Sequence, residues 1–341
     1  MEVETAEAQW PQRFLQAVSS LRPLCLCGSI LAAVLAVPLG CGGHTATTQV
    51  AAPEHEARWQ DVIDITPELL VVVRPKALRK DKVYGPLLSR AIDALRQRSR
   101  VVAATRVLDA IDDADEVIGG VRPDPIVPGG EMVVVVRGVR ADIDPAKVVD
   151  PSGHVIWAPG PHGAVPELTR DRDDLGQPLG VSLFELPGRT WVIAAGGTAR
   201  ERAREAYAHP VGRAAFQLDP DALAVVRVDG QELVKNQPGL QRYGQLEAIG
   251  HKLRWVVFTL PPGGEGVVKA QLTYVDEDSA SFAEARWHDV VDAIGRTKPP
   301  KLLWMTSLKI DRTGKYVLLS APLPPQLLDG LLHAGQAALS E

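Results

Sequence analysis

Cysteine, histidine and clustered carboxylates are the groups in this sequence that could bind a metal or attack a substrate, and their positions narrow the chemistry at once. The three cysteines, Cys25, Cys27 and Cys41, all precede residue 42 of 341. The body of the chain therefore offers no thiolate for a zinc site, no disulfide framework and no cysteine nucleophile. A thiol-free body suits an oxidising compartment. The histidines stand at 44, 55, 154, 162, 209, 251, 288 and 333, with no i, i+4 pair and no HExxH run, so a zinc-protease helix is not expected. His154 and His162 could meet around a metal only with a carboxylate such as Glu167 or Asp171, and a solvated polar loop is the plainer reading.

Other motifs fall short for stated reasons. Asp171-Arg-Asp-Asp-Leu-Gly176 has acids at the first and third places of a calcium loop and glycine at the sixth. Leu175 fills the fifth place and Ser182 the twelfth, where a bidentate glutamate is needed, so a surface turn is expected. Gly263-Gly-Glu-Gly-Val-Val-Lys269 and Asp311-Arg-Thr-Gly-Lys-Tyr316 lack the Gly-Lys-Ser/Thr ending that cradles phosphates, and both sit between strand candidates. No G-x-S-x-G occurs. Trp191, Trp255 and Trp304 lie in apolar runs and read as core, whereas Trp157 stands in an irregular stretch where an indole could stack on a sugar. No catalytic, cofactor-binding or metal-ligating residue is expected.

Charge sets a further limit. With 42 acids against 37 bases the net charge is −5, which does not supply the basic surface that nucleic acid requires. At 45% apolar and 23% charged residues, the composition is that of an ordered globular protein. Residues 74–100 hold nine basic and two acidic side chains, and residues 109–116 then hold five acids. These read as adjoining solvated faces. The alternative is a cationic surface for anionic headgroups, lipid A phosphate or a wall polymer.

Residues 23–43 carry no charge, and residues 24–39 read LCLCGSILAAVLAVPL behind Arg22. Sixteen helical residues reach about 24 Å, short of the ~30 Å hydrocarbon core, so a secretory signal fits better than a permanent span. The stretch ends Val37-Pro-Leu-Gly-Cys41, with small Gly40 directly before Cys41 and Pro38 where leucine is usual. Over these first 43 residues the chain resembles a bacterial lipoprotein. The resemblance implies a diacylglycerol on the Cys41 sulfur, cleavage before Cys41 and acylation of the new amino group. It places the protein in the cell envelope, held to a membrane by lipid and facing the periplasm. Gly42, where an aspartate would favour inner-membrane retention, leans the expectation towards the outer membrane. An uncleaved anchor or a buried helix is the alternative. Residues 41–57 are poor in large apolar side chains and read as a flexible tether.

The elements behind the tether repeat. Residues 69–73 (LLVVV) lead towards a helix candidate at 87–95, and residues 222–228 (ALAVVRV) lead towards one at 240–253. Strand candidates follow at 117–121 and 132–136 around Pro128-Gly-Gly-Glu131, and at 255–260 and 267–274 around Pro262-Gly-Gly-Glu265. Each half then shows a hairpin, 181–186 with 190–195 and 302–310 with 315–320, and a closing helix, 199–208 and 325–332. Thr198 with Glu201, and Ser281 with Glu284, have capping-box spacing, the latter opening a helix along Ala283, Trp287, Val290 and Ile294 that stops at Gly295. Residues 144–150 are a short helix candidate, and residues 151–178 are expected to be irregular.

The expected fold class is α+β, with an internal duplication: lobes at 58–217 and 218–341, each a mainly antiparallel sheet with helices on one face. The expected function is a lipid-anchored, non-catalytic envelope protein. Its partners are the membrane, through lipid, and an envelope protein or anionic envelope component, with a cleft between lobes as the natural binding place. Two alternatives stand: a lipid-anchored hydrolase whose acids, histidines or serines converge only in space, and a regulatory outer domain on an uncleaved anchor.

Overall fold

The computed structural model describes residues 69–82, 84–86, 89, 110–122, 131–147, 149, 155, 157–160, 167–172, 178–209, 219, 221–231, 248–262, 267–298 and 300–322. Outside them lie Cys41 with its signal and tether, His154, His162, residues 240–247 of the helix expected at 240–253, and the helix expected at 325–332. The helix expected at 87–95 is outside as well, but for residue 89. The described residues form a mixed α+β structure that divides between Ala224 and Val225 into two compact units.

In the N-terminal unit the strands are β1 (Leu69–Val73), β2 (Glu116–Arg122), β3 (Glu131–Arg137), β4 (Ala158–Pro159), β5 (Glu167–Arg172), β6 (Pro178–Leu186) and β7 (Thr190–Ala195). They lie in the order β1-β2-β3-β7-β6-β5-β4, and each neighbouring pair is antiparallel. Helix α1 (Pro75–Lys80) follows β1, and α2 (Gly197–Ala208) follows β7. The expectation of an irregular stretch at 151–178 is corrected here, because β4 and β5 extend the sheet through it.

Strand β7 is buried along its whole length and β3 up to Arg137. Val134, Val136, Trp191 and Ile193 pack on one face with Ala110, Ile111, Val139, Ile143 and Trp157. By register, Val133, Val135, Val192 and Ala194 look the other way, where α2 lies against β3, β6 and β7. The sheet is thus covered on both faces, not one. The runs MVVVV and TWVIAA do not alternate, which is the mark of a strand with no wet side. Between β6 and β7 the chain turns through Gly188 and Arg189, both left-handed at φ 75° and 56°, as a tight hairpin demands.

The C-terminal unit holds β8 (Ala224–Asp229), β9 (Leu253–Leu260), β10 (Val267–Tyr274), α3 (Glu277–Thr297), a 3-10 segment (Pro300–Ser307), β11 (Lys309–Thr313) and β12 (Tyr316–Pro322). Its strand order is β8-β9-β10-β12-β11, and the β9, β10, β12 and β11 neighbours are antiparallel. Helix α3 lays Ala280, Ala283, Val290 and Ile294 on Val256, Leu272, Tyr274, Val317 and Leu319. Tyr274 is fully buried; its hydroxyl donates to the Ile249 carbonyl at 2.9 Å, and burial pushes the phenol well above its ordinary pKa. Here one face alone is helix-covered among the described residues.

Several local expectations need correcting. Residues 302–307 are 3-10 helix rather than strand, because the run is apolar without period 2 and Leu303 is exposed. Leu253 opens β9 instead of ending a helix. Among the described residues of 144–150, Pro145–Lys147 form a 3-10 segment in place of the short helix. Trp255 is not core: by register it faces away from α3, with the Arg227 guanidinium 4.6 Å above its ring. Trp191 is core, and Trp304 packs against the C-terminal core.

The helix starts differ too. α2 begins behind Gly196 at φ 90° with no side-chain cap, so Thr198 and Glu201 make no capping box. α3 begins four residues before Ser281, with Asp276 as its cap, and runs past Gly295 to Lys298 at φ 47°. Asp276 accepts from the Ser279 amide at 2.8 Å and pairs with Lys252 at 3.1 Å. The Ser279 hydroxyl and amide and then Lys252 pull its carboxyl down to about 2. A lowered pKa means stabilisation that is complete above the unfolded value, ~3.9, and lost as pH falls through about 2. The Ser279 amide resonance should therefore titrate with a midpoint near 2; a midpoint near ~3.9 would show that the cap is not made.

Candidate functional site

Burying a carboxylate is costly unless charge and hydrogen bonds replace its water, so buried acids mark the places where this fold concentrates polar interactions. Among the described residues Glu167, Glu131 and Asp112 are the buried acids, all in the N-terminal unit. Glu167 lies on β5 opposite Phe184, two residues from the Thr169–Ser182 pair and on the same face. Gly160 presses against it: its amide donates to the Glu167 carbonyl at 2.7 Å, and a Cβ there would sit 2.9 Å from Glu167 Cγ. No larger residue fits at 160.

Helix α2 supplies the counter-charges by its periodicity. Ala199, Ala203 and Ala206 are buried at i, i+4, i+7 spacing, and their small side chains let the helix axis come close to the sheet. Arg200 and Arg204 flank that stripe on the side of β6 and β5, and Tyr207 stacks on Phe184 with centroids 6.4 Å apart. Arg202 flanks the other side and pairs with Glu131 of β3. Arg204 grips Glu167 with both arms of its fork, Nε at 2.8 Å and Nη2 at 2.7 Å. Arg200 Nε donates to Ser182 Oγ at 2.8 Å, and the Ser182 hydroxyl donates to Glu167. Burial alone would raise the Glu167 pKa; the hydrogen bonds from Arg204 and Ser182 and the charges of Arg204 and Arg200 outweigh it and hold the carboxyl below its ordinary value.

Chemically this cluster is a fastening. Glu167 Oε1 accepts from Arg204 and Ser182 and Oε2 accepts from Arg204, and the side chain has no exposed surface, so the carboxylate is engaged within the fold. Ser182 has no exposed surface and gives its proton to an already ionised acid. Of the metal set weighed in the sequence, Glu167 is spoken for, the Asp171 side chain is not described, and His154 and His162 lie outside the described residues. Among the described residues no group of three His, Cys, Asp or Glu could hold a metal. Trp157 is 6% exposed and belongs to the core, so it is no platform for a sugar.

The basic run meets its acidic neighbour within the same unit. Arg74 pairs with Glu116 at 3.2 Å and donates to the carbonyls of Asp219 and Ala222. Glu116 also takes Arg137, its register partner, at 2.7 Å. Lys76 pairs with Asp115 at 3.0 Å and Arg79 with Asp112. Three of the cations read as a possible landing surface therefore hold α1 against the start of β2. Sequence reading missed the Glu167–Arg204 pair because its members are separated by 37 positions. The available signal was an acid in a strand candidate together with arginines at i, i+4 beside an alanine stripe.

Among the described residues no helix is long and apolar enough to cross a membrane. No protein-family model matches the chain, and no curated protein matches it. A solved structure described as "Structure of crystal form I of TP0453" is similar to it, with a TM-score of 0.48 and 10% sequence identity over 81% of this chain and 96% of that one.

Proposed function

We propose that the protein is a lipid-anchored, non-catalytic component of a bacterial cell envelope, tethered through Cys41 and facing the periplasm, the outer membrane being favoured. The observation that carries this reading is the uncharged run 24–39 ending in Gly40-Cys41, followed by a body without cysteine. The acyl chains contribute about 0.8 kcal/mol per buried methylene, so several together hold a folded body at a membrane. The non-catalytic reading is supported by the fate of Glu167, the described member of the metal set weighed in the sequence, which is clamped by Arg204. The body's partner is an envelope protein or an anionic envelope component.

Two similar lobes are part of the proposal. Its support is that β8-β9-β10-β12-β11 repeats β1-β2-β3-β7-β6 member for member, with β4 and β5 as an addition to the first. The anchor is tested by the intact mass of the protein from the membrane fraction. The expected result is an amino terminus at Cys41 carrying acyl chains, and a Cys41→Ala chain that stays unprocessed or leaves the membrane. Recovery of an unmodified chain that retains residues 1–40 would end the proposal.

A further inference from the structure

We draw no further inference here: the strongest candidate, the sheet face of the C-terminal unit turned away from α3, where Trp255, Thr273 and Tyr316 share a row, carries none because nothing among the described residues shows what covers it.

Discussion

Arg204→Met should destabilise the N-terminal unit by about 3–5 kcal/mol, the usual loss when one member of a buried ion pair is removed. The pH dependence separates this cause from lost packing. In the native protein the Glu167 pKa is lowered, so its stabilisation is present above the unfolded carboxylate value, ~4.3, and is lost as pH falls through the folded value. Without Arg204 the desolvation of Glu167 is no longer outweighed, its pKa rises, and the variant recovers stability as pH falls and the acid takes up a proton. Urea melts at pH 7 and pH 4 should show the gap between the two proteins closing at the lower pH. Arg204→Met with Glu167→Gln should regain much of the loss at pH 7. A gap that stays constant between the two pH values would mean that the pair contributes nothing through its charge.

Trp157→Ala should lower stability by about 3–5 kcal/mol, as a buried aromatic truncated to alanine does. An exposed sugar platform would behave differently, since its loss would leave the melting curve in place and weaken binding to a polysaccharide column. Trp157 packs in the cluster of Val134, Trp191 and Ile193, which predicts the first outcome. A variant with native stability would place the ring at the surface after all.

Much of the fold is legible because its strands are written in long apolar runs between turn residues. Residues 69–73 form β1 to the residue, and the hairpin at 181–195 holds because Pro187-Gly188-Arg189 enforces its turn. What failed was local punctuation. Ser281 and Thr198 have cap spacing but lie within helices that Asp276 and Gly196 begin, because an Asp or Gly at the end of a strand reaches the cap position first. The burial of β3 and β7 on both faces was present in their unbroken runs and was read as one-sided. The fastening of α2 was hidden for another reason: ion pairs between a strand and a helix are set by how the layers stack, and spacing along the chain carries no record of that.

The neighbour of β3 in the sheet is β7, not the next strand made. The middle of the N-terminal unit therefore cannot zip up from a local nucleus; it waits until everything between Arg137 and Thr190 has been synthesised and looped out. Pairings of such sequence separation belong to the slow, millisecond-to-second class of folders. Until β7 is made, β3 keeps one edge unpaired, and an open strand edge is a template on which another chain can pair.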